Sequence, residues 1–230
     1  EALPVPGGMM NIGIPSHRLP KEILDREIGD IVSHPKVKLH LNTPVELNGK
    51  KGNAKISLAD LRKDYDAVFL GMGAHKNLEM KIPGEDLKGV FYGAEFLRQV
   101  NLSHLGVKSA KIPKIGKRVA IIGGGNVAID SAMTAMRAGG EEVYIVYRRS
   151  REEMPAYEWE IEEATDEGVQ FQFLSSPIEV NGEDGKVSSM TLQKMRLGEP
   201  DASGRRRPEA IEGDTVTLTV DSMIIAIGQK

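Results

Sequence analysis

The stretch Arg118-Val-Ala-Ile-Ile-Gly-Gly-Gly-Asn-Val-Ala-Ile-Asp130 decides the fold of this chain, and Val143-Tyr-Ile-Val-Tyr-Arg-Arg149 follows it about one helix later. An apolar run leads into three glycines, and a helical stretch then leads into a second apolar run. This order predicts a strand, a glycine turn, a helix and a second strand, which is how a dinucleotide-binding α/β fold begins.

The glycine turn has the spacing that a nucleotide pyrophosphate requires. Gly123 permits the tight turn, Gly125 has no side chain to block the pyrophosphate, and Ala128 is small enough for the helix to pack on the strand. The N-terminus of the helix offers free backbone N–H groups and the positive end of its dipole. We expect the cofactor phosphates to contact Gly123, Gly124, Gly125, Asn126, Val127 and Ala128.

The end of the second strand indicates which dinucleotide binds. A site for NAD usually has Asp or Glu there, but this chain has Arg148 and Arg149, and no carboxylate follows before Glu152. Because a guanidinium pairs with a 2′-phosphate and a carboxylate repels it, the sequence predicts NADP(H) over NAD(H). The alternative is that both arginines are ordinary solvated charges. Arg151 either reaches the phosphate or caps the next turn.

The composition excludes several classes of protein. The 230 residues contain no cysteine, which rules out disulfides, Cys-ligated iron–sulfur clusters and a cysteine nucleophile within this chain. With a net charge of −3, no nucleic-acid partner is expected. The sequence shows no membrane-spanning run and no signal peptide, so we expect no membrane partner and a cytoplasmic protein.

The first half of the chain is predicted from short local patterns. Residues 1–20, rich in Pro and Gly, indicate a loop. Apolar spacing predicts helices at 21–32 and 93–101, and a short helix or loop at 58–63. The remaining predictions are a short strand at 37–41, a hairpin-type turn at 48–53 and a buried strand at 65–73 that ends at a glycine turn.

The second half predicts the fold class, which is α/β. We expect a Rossmann-like parallel sheet with an antiparallel meander inserted before its last strand. Turn signals for the meander stand at Asn181-Gly and Asp184-Gly. The predicted strands are 118–122, 143–147, 169–174, 178–180, 187–195, 215–220 and 223–227, and the predicted helices are 126–138 and about 156–167.

Other reaction types find no support in the residues. The five histidines show no metal-ligand spacing with carboxylates, so we expect no metal site. Tyr157 is not followed by a lysine four residues on, which counts against a short-chain dehydrogenase, and no Gly-Lys-Ser/Thr follows the glycine turn, which excludes a P-loop. The basic run at 205–207 is either a docking patch for an acidic partner or the solvated tip of a hairpin.

Several motifs together resemble one family, the small (beta) subunits of NADPH-dependent glutamate synthase and related flavoproteins with two dinucleotide-binding domains. The resemblance covers essentially the whole chain. It is carried by Gly123–Ala128, Tyr147–Pro155, Leu197–Pro208 and Ala226–Gly228 in the second half, and by Glu1–Gly8, Gly13–Pro15 and Arg18–Asp25 in the first.

The resemblance implies sites for two cofactors, with FAD in one domain and NADPH in a second domain inserted into it. Glu1 would hold the adenosine ribose of FAD, Gly8 and Met9 would lie along the flavin nucleotide, and Val45 would approach the adenine. The remaining implied contacts are Gly71, Gly73 and Ala74 at the turn that ends the FAD-domain sheet, and Ala226, Ile227 and Gly228 at the equivalent NADPH-domain turn.

By the same resemblance we expect a fragment. Residues 1–109 would be a partial FAD-binding domain with its connection, residues 110–228 the NADP(H)-binding domain, and residues 229–230 a truncated return. We expect FAD in the full-length protein, although its glycine turn should lie before Glu1. The implied partner is the large (alpha) subunit of glutamate synthase or another Fe–S- or ferredoxin-linked subunit.

The implied reaction is hydride transfer from NADPH to FAD, followed by electron transfer to Fe–S centres. Transfer between two bound cofactors depends on their orientation, so no catalytic side chain is predicted. Two alternatives remain open for this chain. One is a subunit of an NADPH:ferredoxin-type oxidoreductase, and the other is a non-catalytic module that binds NADP(H) or docks a partner.

Overall fold

The computed structural model describes residues 1–47 and 54–230, which divide into two compact units. The first unit comprises residues 1–74 and 101–109, and the second comprises residues 75–100 and 110–230. The turn predicted at 48–53 lies outside the described residues. The second unit holds the predicted nucleotide-binding stretch together with residues 75–100.

The first unit consists of short elements. They are α1 (Gly8–Ile12), α2 (Lys21–Val32), β1 (Val45–Glu46), β2 (Ile56–Ser57) and α3 (Leu58–Asp64). Helix α2 has the predicted bounds, whereas α1 corrects the prediction of a loop throughout residues 1–20. The buried Lys21 explains the end of α1, because its ammonium group donates to the carbonyl oxygens of Met10 and Ile14 at 3.0 and 2.6 Å.

Two strand predictions in this unit are wrong. Residues 37–41 and 65–73 lie outside any helix or strand, and Phe69 in the middle of the second segment is 94% exposed. An extended apolar segment becomes a buried strand only when neighbouring strands satisfy its backbone and cover its side chains. Among the described residues no strand pairs with 65–73.

The second unit is built on a parallel sheet of strand order β3-β10-β4-β5-β6. The predicted alternation of strands and helices around the glycine turn is confirmed to within two residues at most of the predicted ends. Apart from the meander, the elements from residue 75 onward are β3 (Val90–Tyr92), α4 (Gly93–His104), β4 (Arg118–Ile122), α5 (Asn126–Arg137), β5 (Glu142–Val146), a 3-10 helix (Arg151–Glu153), α6 (Glu158–Asp166), β6 (Gln170–Gln172) and β10 (Ser222–Ile225). Residues 101–104 at the end of α4 belong to the first unit.

The predicted meander forms a three-stranded antiparallel sheet between β6 and β10 in the chain. Its strands are β7 (Ser175–Glu183), β8 (Lys186–Pro200) and β9 (Arg206–Thr219). Asp184 and Gly185 form the first turn, both with positive φ, as a two-residue hairpin requires. The turn predicted at Asn181-Gly is wrong, because Asn181 lies inside β7 and pairs with Ser189 across a local register shift.

The core lies on both faces of the parallel sheet. Along β4, Val119 and Ile121 pack into the cluster that contains α5, while Ala120 and Ile122 pack into the cluster that contains the meander. All four are at most 4% exposed. Burial on both faces explains why β4 is a continuous apolar run in the sequence. Each large apolar side chain buried in this way contributes on the order of 2 kcal/mol.

An ion pair joins the starts of two adjacent parallel strands. Asp221, just before β10, accepts hydrogen bonds from the backbone N–H of Arg118 at 3.0 Å and from its guanidinium at 2.6 Å. Asp221 in turn donates its own N–H to the carbonyl oxygen of Arg118 at 2.8 Å. These hydrogen bonds from Arg118 lower the pKa of the Asp221 carboxyl below its ordinary value of 3.8.

We predict that Asp221→Asn lowers the free energy of unfolding at pH 7 by about 1 kcal/mol, since the pair is partly exposed. The stabilisation by ionised Asp221 is complete above about pH 3.8 and is lost as the pH falls through the lower pKa of the folded state. The difference between wild type and variant should therefore shrink in acid. Urea unfolding at several pH values measures this, with the exposed Asp214→Asn as control. An equal difference at pH 7 and pH 2 would contradict the prediction.

Candidate functional site

The glycine turn connects β4 to α5 and needs two of its glycines for close packing. Gly123 has φ +144°, and a Cβ there would lie 2.3 Å from the carbonyl oxygen of Ala226. A Cβ on Gly124 would lie 2.6 Å from the ring of Tyr147. Larger residues at these two positions would separate the turn from the ends of β10 and β5. The predicted tight turn at Gly123 therefore has a packing reason as well as a conformational one.

Gly125 differs from its neighbours because the space in front of it is open. It is the N-cap of α5 with φ −97°, and as a glycine it has no side chain that could cap the helix. A Cβ at Gly125 would meet only Cγ of Pro155, at 3.6 Å. The N–H groups of Asn126 and Val127, the first two residues of α5, have no acceptor within the helix, whereas the N–H of Ala128 donates to the carbonyl oxygen of Gly125 at 2.8 Å. This helix end is accordingly open to an anion, whereas the fully buried Ala128 packs the helix onto the sheet.

The turn forms one wall of a cleft of about 740 Å³ within the second unit. All the residues predicted to contact NADP(H) line this cleft except Ala128, which lies in the core. The lining residues that the sequence predicted are Gly123, Gly124, Gly125, Asn126, Val127, Arg148, Arg149, Ala226, Ile227 and Gly228. The cleft lies at the carboxyl ends of the parallel strands, where open α/β sheets bind their ligands.

The two arginines at the end of β5 have different environments. Arg148 is exposed and has no ion-pair or hydrogen-bond partner in the described part of the chain. Arg149 has a side chain only 5% exposed, and its guanidinium donates to Asp201 Oδ2 at 2.6 Å and to the carbonyl oxygen of Arg206 at 2.7 Å. Arg149 therefore joins the loop after β5 to the hairpin between β8 and β9.

A second ion pair holds the same hairpin. Arg206 donates to Glu153 Oε1 at 2.5 Å and to Glu152 Oε2 at 3.0 Å. Glu153 is buried, and burial opposes its ionisation. The hydrogen bonds from Ser150 and Arg206 outweigh that effect and lower the pKa of Glu153. Ser150 and Glu153 also form a capping box at the start of the 3-10 helix.

The tip of the hairpin is ordered around Asp201. The side-chain hydroxyl and backbone N–H of Ser203 donate to Asp201 Oδ1 at 2.5 and 2.8 Å, and these bonds, together with the charge of Arg149, lower the pKa of Asp201. The backbone N–H of Asp201 also donates to the carbonyl oxygen of Arg205 at 2.8 Å. Arg205 is the residue next to this tip that lines the cleft.

Sequence reasoning did not assign Arg205 to the cleft, because it lies 57 positions after Arg148 and the run 205–207 gives three equivalent arginines. Only the hairpin brings one of them to this site. Other lining residues were missed as well, and Glu79, Met80 and Ile82 are three of them. They precede β3, and no local pattern marks them as part of a binding site.

The residues implied for FAD lie in the first unit, and part of that set is drawn together. The carbonyl oxygen of Glu1 accepts the N–H of Thr43 at 2.8 Å, and the backbone nitrogen of Glu1 donates to the carbonyl oxygen of His40 at 3.0 Å. This pairing places Glu1 beside the segment that leads into Val45 at the start of β1. The carboxylate of Glu1 accepts the N–H of Leu3 at 2.9 Å.

The other implied FAD contacts are spread over two segments. Gly8, with φ +51°, and Met9 begin α1. Gly71, Gly73 and Ala74 lie on the exposed segment that follows α3 and belong to no helix or strand. Among the residues predicted to contact FAD, Glu1 therefore lies beside the segment that leads into Val45, and residues 71–74 are exposed.

The described residues contain neither a metal-binding cluster nor a membrane-spanning helix. No group of three or more His, Asp or Glu side chains in residues 1–47 and 54–230 could hold a metal ion. In the same ranges, every helix is too short or too polar to cross a bilayer.

Comparison with known sequences places the chain among pyridine-nucleotide enzymes. It is 44% identical over its whole length to the NADP(+)-dependent formate dehydrogenase subunit beta of Moorella thermoacetica and covers 31% of that protein. It is 43% identical to the NADPH-Fe(3+) oxidoreductase subunit beta of Geobacter sulfurreducens, covering 100% of this chain and 33% of that one. With the glutamate synthase [NADPH] small chain of Escherichia coli it shares 37% identity over 96% of this chain and 46% of that one.

The chain thus spans a third to a half of the length of these curated relatives, and its predicted resemblance to the glutamate synthase small subunit is confirmed.

The fold also matches solved structures. FprA, an oxidoreductase of Mycobacterium tuberculosis, has a TM-score of 0.80 at 22% identity, with all of this chain and 63% of FprA covered. The structure of FprA in complex with NADPH has the same TM-score at 23% identity. These likenesses support the predicted α/β fold with its parallel sheet and antiparallel meander. The family model for pyridine nucleotide-disulphide oxidoreductases matches residues 4–230, and the chain therefore belongs to the pyridine nucleotide-disulphide oxidoreductase family.

Proposed function

We propose that the cleft at the glycine turn binds NADP(H) and that the protein is an NADPH-dependent flavoprotein oxidoreductase subunit that supplies electrons to a partner. The observation that carries the proposal is the exposed Arg148, which lines the same cleft as the open N-terminus of α5 and has no carboxylate partner among the described residues. Curated relatives whose names include NADPH or NADP(+) support it.

The proposed site separates two tasks. Backbone N–H groups at the open helix end beside Gly125 donate to the pyrophosphate, and Asn126 and Val127 begin the helix that supplies them. Asn126 is positioned by its side-chain amide, which donates to Glu160 Oε1 at 3.2 Å. Arg148 pairs with the 2′-phosphate. Ala226, Ile227 and Gly228 also line the cleft.

When bound, NADPH supplies a hydride and FAD accepts it. The residues of this chain contribute binding and orientation, since transfer between two held cofactors needs no acid or base side chain. We assign the ribose contact of FAD to Glu1, the adenine contact to Val45, and the flavin contacts to Gly8, Met9, Gly71, Gly73 and Ala74. The domain assignment that goes with this is an FAD-binding domain with its connection at 1–109, an NADP(H)-binding domain at 110–228, and a return to the FAD-binding domain at 229–230.

Two electron acceptors are candidates for this protein. Glutamate synthase is one candidate, with its large subunit as the partner, and the relative from Escherichia coli supports it. An Fe–S- or ferredoxin-linked subunit of another oxidoreductase is the second, and the relatives from Moorella thermoacetica and Geobacter sulfurreducens, at 44% and 43% identity, favour it. In either assembly we propose a cytoplasmic location. A chain that binds NADP(H) but never reduces a bound flavin would instead be a non-catalytic module.

The first test is nucleotide preference. We expect wild type to bind NADPH more tightly than NADH, and Arg148→Ala to weaken NADPH binding by roughly 30-fold, because a charge-assisted hydrogen bond contributes about 2 kcal/mol. NADH affinity should be unchanged in the variant, since NADH has no 2′-phosphate. Calorimetric titration measures all four constants. Equal affinities of wild type for the two nucleotides would contradict the proposal.

The second test separates the phosphate cradle from the packing of the turn. Gly125→Ala should fold with the stability of wild type, because its Cβ meets only Pro155 at 3.6 Å. The same Cβ occupies the open space at the helix end, so NADPH affinity should fall by about tenfold or more. Gly123→Ala is the contrasting variant, because its Cβ clashes with Ala226 and should lower the melting temperature. A Gly125→Ala variant with unchanged NADPH affinity would remove this helix end from the site.

A further inference from the structure

Arg149 and Arg205 differ in what their guanidinium groups contact. Resting on the proposed NADP(H) site, we propose that Arg205, at the tip of the β8–β9 hairpin, is the second cation that selects the 2′-phosphate, and that Arg149 is a positioning residue. Arg205 and Arg148 line the same cleft although they lie 57 positions apart in the chain.

The hydrogen bonds of Arg149 commit it to the protein. Its side chain is 5% exposed, and its Nε and one terminal nitrogen donate to the carbonyl oxygen of Arg206 and to the carboxylate of Asp201. Turning Arg149 toward a ligand would leave Asp201 without its cation and a carbonyl oxygen without its donor. Such unpaired groups are costly when they are shielded from water. Arg149 therefore keeps these partners when a nucleotide binds.

The bonds of Arg205 leave its guanidinium available. In the described part of the chain, the only hydrogen bond of its side chain runs from Nε to Ser203 Oγ at 3.0 Å. The two terminal nitrogens are the part of the guanidinium that forms a fork with a phosphate. Arg205 is half-buried and lines the cleft, whereas its neighbour Arg207 is exposed and does not.

The hairpin tip presents Arg205 from a rigid base. Asp201 is hydrogen-bonded to Ser203 and to the backbone of Arg205 within the tip. Arg149 in turn donates to Asp201, and Arg206 donates to Glu153. A side chain supported in this way loses less conformational freedom when it binds an anion. The charged residues of the cleft agree with this assignment. Arg149 is neutralised by Asp201, whereas Arg148 and Arg205 have no carboxylate partner among the described residues, including Glu79, which also lines the cleft.

The experiment compares NADP+ and NAD+ binding to wild type, Arg205→Ala, Arg148→Ala and the matched control Arg207→Ala, by calorimetry on the 230-residue chain. Arg205→Ala should raise the Kd for NADP+ about tenfold and leave the Kd for NAD+ within about twofold of wild type. Arg207→Ala should change neither constant. Arg205→Gln tests the same point if the alanine variant folds poorly.

The outcomes separate this inference from the proposed function. If wild type prefers NADP+ and Arg148→Ala removes part of that preference while Arg205→Ala does not, the inference is wrong and the proposed function stands. If Arg207→Ala weakens NADP+ as much as Arg205→Ala, the effect is general charge and the inference is also wrong. If wild type binds neither nucleotide, or binds both equally, both proposals fail.

Thermal unfolding adds a readout for Arg149. Because Arg149 is a positioning residue in a buried ion pair, the Arg149→Ala variant should have a lower melting temperature than wild type. The Arg205→Ala variant should have the same melting temperature as wild type. A stable Arg149→Ala variant with a selective loss of NADP+ binding would show that Arg149 itself contacts the 2′-phosphate, and it would overturn the assignment of Arg149 as a positioning residue.

Discussion

The close approach of Gly123 to the end of β10 is the constraint on which the nucleotide cleft depends. Because Gly123 has no Cβ, the turn after β4 lies against the carbonyl oxygen of Ala226, and the N–H of Ala226 donates to Ile122 at 2.8 Å. The parallel ladder between β4 and β10 thus continues to the point where both strands end. Helix α5 begins there, and its N-cap Gly125 and first residues Asn126 and Val127 line the cleft.

Electrostatics then divide the basic residues around that space into supports and free cations. Arg149 and Arg206 are supports, each paired with a carboxylate that is held ionised by several hydrogen bonds. Together they fasten the hairpin of the meander to the loop after β5. The antiparallel insertion consequently contributes to the site as well as to the fold, since it determines which arginine reaches the cleft.

The sequence predicted β4, α5 and β5 to within two residues because local periodicity, the glycines and burial agree there. It failed at 65–73, where an apolar pattern needs neighbouring strands that the described residues do not supply. It also treated Arg148 and Arg149 alike, because their difference arises from Asp201 and Arg206, more than fifty positions away. Successive side chains of a strand point to opposite faces of the sheet, but the residues that pair with one of them are brought there by the tertiary fold.

The most direct measurement is a crystal structure of the chain with NADP+. The account predicts the pyrophosphate at the N-terminus of α5 beside Gly125, and the 2′-phosphate within hydrogen-bond distance of the Arg148 guanidinium, with the Arg149–Asp201 pair intact. A nucleotide bound outside this cleft, or one whose 2′-phosphate faces solvent away from Arg148, would contradict it.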